Sequence, residues 1–443
     1  MFRMICGVSC LCAVFAIALH AGTLKPIVTF NQTNGERLFG PPIEATDHNL
    51  YGATVFGGAS GYGTIYKLTG KGVYKVLYSF CAQSGCADGE YPSWLMQAAD
   101  GDFYGTTYMG GKSNVGTIFK ITASGRFTAL YSFCSKANCT DGATPQSSLV
   151  QTRDGSFYGT TIVGGAYSNG TVFKFKPGHG LTTLYSFCAK SGCADGSQPY
   201  IGLTLASDGN FYGNTALGGN HNSTSCPADG CGTVFRITPT GKLTTLYRFC
   251  ANSTCSDGAI PQGLLVQGRD GKLYGTTDGG GGQGTGTIYK IGLRGKLTTL
   301  HTFCNGICAD GEIPYAGVIQ AADGNFYGTA FVGGTGGWGT VYQMTPAGKV
   351  TALYSFDDKA DGAFPAASLF QASNGNFYGG TEEGGDDNCN APYGCGVIFL
   401  MSKKAASEAA PEDSTQATDL GSRTIIKSPT HPLPLNSRRV APY

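Results

Sequence analysis

Charge, tryptophan and histidine are all scarce in this chain of 443 residues. Only 13% of the residues are Asp, Glu, Lys or Arg, too few for long solvated helices or for an acidic disordered protein. The 30 basic and 29 acidic residues nearly cancel. With no basic stripe, that balance argues against nucleic acid as a partner. The six histidines (His20, His48, His179, His221, His301, His431) occupy unrelated positions. There is no Gly-x-Ser-x-Gly elbow, no His-Glu-x-x-His and no phosphate loop, and the glycine-rich stretch 279–284 opens no helix that would cradle a phosphate.

Long apolar runs are missing as well, with one exception at residues 5–19. That run falls short of the roughly 18–20 apolar residues needed to span a bilayer. It follows Arg3 and ends among Ala16, Ala18 and Ala21, so residues 1–21 read as a secretory signal. Its removal takes away Arg3 and no acid, leaving 29 charges of each sign. Residues 402–443, rich in Ala, Ser, Thr and Pro and without periodicity, are expected to be a disordered tail with no membrane anchor. The protein is therefore expected to be secreted or extracytoplasmic, with no transmembrane segment once the signal is gone, and a monomer.

What the chain does have is 70 glycines, 17 cysteines and one phrase repeated seven times. Phe157-Tyr158-Gly159-Thr160-Thr161 is one copy, and its tyrosine recurs at Tyr51, Tyr104, Tyr212, Tyr274, Tyr327 and Tyr378, at spacings of 53, 54, 54, 62, 53 and 51 residues. Such a period marks stacked units, none of which can bury a face alone. Within residues 145–187, four short runs rich in Val, Phe, Tyr and Thr (147–151, 157–162, 170–175 and 181–187) are separated by Gly, Asp and Pro turns, the pattern of an antiparallel meander. Seven such units predict an all-β fold, a seven-bladed β-propeller spanning residues 22–401. Pro26-Ile27-Val28-Thr29-Phe30 matches a fourth strand, and the last unit stops at its third. The N-terminal strand should thus complete the seventh blade and close the ring. A parallel β-helix is the alternative, but its repeats are shorter and lack no fourth strand.

Fourteen cysteines fall into seven local pairs, Cys81/Cys86, Cys134/Cys139, Cys188/Cys193, Cys226/Cys231, Cys250/Cys255, Cys304/Cys308 and Cys389/Cys395. They read as disulfides made in an oxidising compartment, each pinning its own loop. A zinc site would need two pairs from different repeats to converge.

The repeated unit, with Leu184-Tyr185-Ser186-Phe187, a cysteine loop containing Asp195-Gly196, Asp154-Gly155-Ser156-Phe157-Tyr158-Gly159 and Gly170-Thr171-Val172-Phe173-Lys174, resembles the GloVer tandem repeat of bacterial exported proteins. The resemblance covers residues 25–401 and implies a propeller-like exported protein, with no activity established for the repeat.

In a meander, the loops after strands 2 and 4 share one face. These loops hold every cysteine pair and insertion, so function should sit there. On that face recurs Asp-Gly-x-x-Pro, with Asp88, Asp141, Asp195, Asp257, Asp310 and Asp361, and Asn34-Gly35 in the first unit. These carboxylates would suit calcium, but an Asp that caps its own turn is the simpler reading; no other cofactor is implied. Just after the proline the residues differ from unit to unit: Ser93-Trp94, Gln146, Tyr200, Gln262, Tyr315 and Ala366. Flat rings beside amides suit a glycan or a protein ligand. His221, Trp338, Glu383 and Asp387 join the candidate set from nearby loops, the acids (with Glu382 and Asp386) as a conceivable acid–base pair. No catalytic motif is identified. The expected function is a binding or scaffold propeller, the alternatives being a carbohydrate-active lyase or hydrolase and a purely structural surface protein.

Overall fold

The computed structural model describes residues 24–220, 226, 229–304 and 306–402, so the expected signal peptide, His221 and all but Ser402 of the expected tail lie outside the described residues. Seven four-stranded antiparallel sheets follow one another along the chain. Blade 3 is typical, with strands Val150–Gln151, Phe157–Thr161, Thr171–Lys176 and Gly180–Ser186. Numbering blades by their second strands, Leu50–Thr54 belongs to blade 1 and Phe377–Gly380 to blade 7. The N-terminal strand Leu24–Thr29 pairs antiparallel with Val397–Met401 as the fourth strand of blade 7, which closes the ring as expected.

Each letter of the repeated phrase has a packing role. Phe and Tyr, adjacent on a strand, point to opposite faces of the blade. The tyrosine of one blade stacks on the phenylalanine of the next, as in Tyr104–Phe157 at 4.4 Å, Tyr158–Phe211 at 4.2 Å and Tyr327–Phe377 at 4.3 Å. The glycine is required by close approach: a Cβ on Gly159 would lie 2.6 Å from the Phe173 ring. The first threonine reaches the next blade, Thr106 Oγ1 donating to the Ser147 carbonyl at 3.1 Å. The second pairs inside its own blade, as in Thr161 with Thr171 at 2.8 Å, and both residues are fully buried. The phrase combines contacts within a blade with contacts to the next one, and that is why it repeats.

The innermost strands are shorter than the sequence suggests. Only blade 2 has a long one, Glu90–Gln97, and in blade 3 the expected run 147–151 pairs only at Val150–Gln151. Upstream, the Ser147 hydroxyl takes the place of the ladder, donating to the Thr160 carbonyl and accepting from the Thr160 N–H, each at 3.1 Å.

On the face of tight turns, a glutamine at the end of one inner strand accepts from the turn of the preceding blade. Gln97 accepts from the Thr46 N–H, Gln151 from Ala99, Gln267 from Ser207, Gln320 from Arg269 and Gln371 from Ala322, at 2.8–2.9 Å. Glu44 does the same for Ser373 across the ring closure.

Candidate functional site

The opposite face is built on the loop that leaves each outer strand. All seven expected disulfides are present: Cys81–Cys86, Cys134–Cys139, Cys188–Cys193, Cys250–Cys255 and Cys304–Cys308 in five of these loops, and Cys226–Cys231 and Cys389–Cys395 in the insertions of blades 4 and 7. In the five repeat loops both cysteines sit in the left-handed region, from φ 47° at Cys255 to φ 63° at Cys188, a conformation that costs an L-residue about 1–2 kcal/mol. The short covalent ring holds that turn closed.

The sequence reading, in which each bridge mainly pins its own loop, leaves out a second contact, and Cys193 shows it. It ends a single 3-10 turn, Ser191–Cys193, that the strand-and-turn pattern did not predict; Ser84–Cys86 and Ala137–Cys139 are its counterparts. The physical reason is the left-handed backbone at Gly192 and then at Cys193, φ 61° and 48°, which turns the Cys193 carbonyl inward. There it accepts from the Gly196 N–H at 2.8 Å and from the Gly219 N–H at 3.0 Å. Cys193 is thus half-buried and joins its loop to the Gly218-Gly219 segment of the next blade, so the bridge positions a blade junction as well as its own loop.

The motif aspartates secure the same loops. Asp195 Oδ2 accepts from Tyr185 Oη and the Ala189 N–H, and Oδ1 from the Lys190 N–H, at 2.6–3.0 Å. Asp88 and Asp141 repeat the arrangement and are fully buried. Burial pushes Asp141 up, but hydrogen bonds from Tyr131 and Ser135 outweigh it and leave its pKa below the ordinary carboxylate value. Asp88, Asp141 and Asp195 thus tie an outer strand to its own loop. Among the described residues, every group of side chains close enough to share a metal ion includes cysteines bonded to each other.

Two residues beyond the motif glycine comes a second left-handed position, occupied in order by Arg37, Tyr91, Thr144, Gln198, Ile260, Ile313 and Phe364 at φ 52–58°. For β-branched Thr and Ile this is a strained choice. Its N–H donates to a carbonyl of the preceding blade at every junction, from Tyr91 to Tyr62, Thr144 to Val115 and Ile260 to Cys231, and across the closure from Arg37 to Cys395, at 2.8–3.0 Å. That turn aims the following residues at the ring axis.

The result is a cup open to solvent. Its lining comes from equivalent places in six of the seven blades: Phe39, Trp94, Gln146, Tyr200 with Ile201, Tyr315 with Ala316, and Ala366 with Ser368. A cavity touched by six blades lies on the axis. Among the described residues the lining holds four aromatic rings, one amide and one serine hydroxyl besides the tyrosine hydroxyls, and no carboxylate, ammonium, guanidinium or imidazole.

Of the residues expected from sequence, the structure brings together Trp94, Gln146, Tyr200 and Tyr315. Gln262, from blade 5, is buried and does not line the cup. Trp338 lies outside it, at the end of a row of rings: Tyr315–Phe331 at 6.0 Å, Phe331–Phe364 at 5.1 Å and Phe364–Trp338 at 5.2 Å. Glu383 turns into the closing junction, 3.7 Å from the Arg37 guanidinium, and Asp387 is exposed. Phe39 was not anticipated, because Leu38 stands where other units have the marker proline; counting four residues from Gly35, as from Gly142, Gly196, Gly311 and Gly362, would have found it.

The loop between blades 6 and 7 lacks cysteine and carries Asp357, Asp358 and Asp361 instead. Burial first, and then the hydrogen bond and charge of Asp357, push the Asp361 carboxyl up to about 6.

Among known proteins, the Gloeobacter/Verrucomicrobia repeat profile matches residues 6–226, 194–319 and 304–419. No curated protein matches the chain. Among solved structures, a streptogramin B lyase is similar over 86% of this chain and 98% of its own, with a TM-score of 0.55 and 16% identity. A puromycin-hydrolysing peptidase of Mycobacterium tuberculosis matches 81% of this chain and 52% of its own at TM-score 0.48 and 14% identity. At these identities the likeness is one of fold. No helix among the described residues is long and apolar enough to cross a membrane.

Proposed function

Since the chain belongs to the Gloeobacter/Verrucomicrobia repeat family, whose repeat here builds a propeller with a single elaborated face, we propose that it is an exported binding module whose axial cup takes a neutral saccharide end. The observation that supports this most is the lining itself. Four rings from four blades surround a space that no charged group among the described residues lines, and Gln146 and Ser368 add an amide and a hydroxyl. A sugar ring offers an apolar C–H face for stacking and hydroxyls for a few placed polar groups, the usual division of labour in a ligand pocket. A charged ligand would be desolvated there without a counter-charge. The ring row from Tyr315 to Trp338 would extend contact to a longer chain. Export is supported by the apolar run at 5–19 and by seven disulfides that an oxidising compartment maintains.

The chain has two tryptophans, Trp94 and Trp338, so Trp338→Phe leaves Trp94 as the sole indole reporter. Titrating that variant with neutral oligosaccharides is expected to change Trp94 emission saturably. Trp94→Ala should weaken binding roughly 30-fold or more, the scale of a central aromatic anchor. Saturable binding that survives Trp94→Ala and Tyr200→Ala together would place the ligand elsewhere. A flat titration across the panel would remove the saccharide assignment.

A further inference from the structure

Two cysteine pairs converge at one place, within a single blade rather than from different repeats. Cys226 and Cys231 close a ring in the insertion between the second and third strands of blade 4, and Cys250 and Cys255 close the loop that leaves the same blade for blade 5. The four sulfurs lie within 4.8 Å of one another. Cys226 Sγ stands 3.0 Å from Cys250 Sγ and 4.0 Å from Cys255 Sγ. Among the described residues no other two disulfides meet in this way.

The backbone on both sides holds the cluster in place. Asn220 Nδ2 donates to the carbonyl of Phe249 at 2.9 Å and to that of Arg248 at 3.2 Å, stitching the insertion to the junction loop. The Cys231 N–H donates to the Asn220 carbonyl, and the Cys231 carbonyl accepts from Ile260 in the next blade. Cys231, Cys250 and Cys255 are buried, and Cys226 alone is partly accessible.

We propose that these four cysteines form a thiol–disulfide exchange centre with two alternative pairings, opened by a dithiol reductant at the Cys226–Cys231 bond. The dithiol gives up two electrons and two protons and becomes a cyclic disulfide, while Cys226 and Cys231 become thiols. Cys226 loses its proton to solvent, and its thiolate attacks the neighbouring Cys250 sulfur. The Cys226–Cys250 bond forms, the Cys250–Cys255 bond breaks, and the electron pair leaves on Cys255, which takes up a proton. Exchange of this kind needs a thiolate in reach of a disulfide sulfur and no further redox equivalent. The new bond would tether the blade 4 insertion to the blade 4–5 junction instead of to itself. Tyr200, which lines the cup, packs against the apolar cluster that contains these cysteines, so the exchange takes place beside the proposed ligand site without depending on it.

The test is disulfide mapping of the oxidised full chain after acid quench and alkylation. In Cys231→Ser, Cys226 has no native partner, and the expected dominant species is a Cys226–Cys250 bridge with Cys255 alkylated. Cys139→Ser is the control, and there Cys134 should remain a free thiol. The wild-type protein, treated with limiting dithiol and then mapped, should yield the same Cys226–Cys250 peptide, which keeps the test independent of whether the variant folds. Alkylated Cys226 beside an intact Cys250–Cys255 bridge in the variant, or only native bridges and free thiols in the wild type, would overturn the proposal.

Discussion

Leu205 occupies the place at which the other inner strands present a glutamine, or Glu44, to the turn of the preceding blade. It is 40% exposed, an apolar side chain where its counterparts accept a backbone N–H. Gln97 and Gln267, in blades 2 and 5, also use their amide nitrogens. Gln97 Nε2 donates to Thr46 Oγ1 and the Gly101 carbonyl at 3.0–3.2 Å, and Gln267 Nε2 to Ser207 Oγ and the Gly271 carbonyl at 3.0–3.1 Å. At the blade 3–4 junction the corresponding donor is the Arg153 N–H, in the turn that follows Val150–Gln151. Leu205→Gln should therefore add a clasp worth about 1 kcal/mol and remove an exposed apolar group. The expected outcome is a higher denaturant midpoint with an unchanged m-value. Gln151→Ala, which removes the clasp to Ala99, should lower the midpoint by a similar amount. If Leu205→Gln lowers it instead, the ring of glutamines is a consequence of the turns and does not hold them.

At the scale of the element, the loop between blades 6 and 7 shows what happens when a disulfide is absent. Asp361 keeps the two Oδ2 hydrogen bonds of the motif, accepting from Tyr354 Oη at 2.8 Å and the Asp357 N–H at 3.3 Å, but a second acid, Asp357, stands beside it. With the Asp361 carboxyl up at about 6 in the folded protein, the folded state holds this proton more tightly than the unfolded chain does. Its contribution to stability is full below the ordinary carboxylate value and is lost as pH rises through about 6. Asp357 is shifted the other way, with the Asp361 hydrogen bond as the main cause, so the proton belongs to the pair. Asp361→Asn keeps an acceptor for both donors and cannot ionise. It should flatten the fall in melting temperature between about pH 4 and 6 and stabilise the protein at pH 7 by roughly 1 kcal/mol, a figure discounted for the group's partial exposure. Parallel melting curves for wild type and variant across that range would count against the shared proton. This is also the scale at which legibility divides. Strand order, the tight turns and the seven disulfides could be read because each rests on neighbours in sequence. The cup residues could be read because variation at a fixed place in a repeat converges on the axis. Phe39 was hidden by one Leu for Pro exchange, and the shortness of the inner strands by the Ser147 hydroxyl standing in for a backbone ladder. The 3-10 turn ending at Cys193 was hidden because one turn has no periodicity to show. The meeting of Cys226 with Cys250 depends on how the two loops of one blade fold towards each other, which no local pattern encodes.

For the whole molecule the decisive contact is the closure between blades 7 and 1. Leu24–Thr29 supplies the outer strand of blade 7, and the fully buried Phe30 donates its N–H to the Gly396 carbonyl at 3.1 Å. Arg37 then crosses the same junction, its N–H to the Cys395 carbonyl and its guanidinium 3.7 Å from Glu383 and from Glu36. Gly380 admits Leu38, since a Cβ there would lie 2.7 Å from the Leu38 Cβ. A chain shortened to begin at residue 31 would keep the blade 1 contacts of Arg37 and Leu38 but would expose the edge of Val397–Met401, whose residues Val397, Ile398 and Phe399 are fully buried in the closed ring. An open edge of this kind invites pairing with another chain. The shortened protein is expected to melt at lower temperature, to lose cooperativity first in blade 7 and to associate as concentration rises. A synthetic peptide of residues 22–34 added in trans should restore the melting temperature in a dose-dependent way, since it pairs only with the folded edge. Because the cup draws on blades 1, 2, 3, 4, 6 and 7, the same peptide should restore saccharide binding in parallel. Recovery of stability without recovery of binding would separate the ring from the site, and a shortened chain as stable and monomeric as the full one would mean that the N-terminal strand is not what closes the propeller.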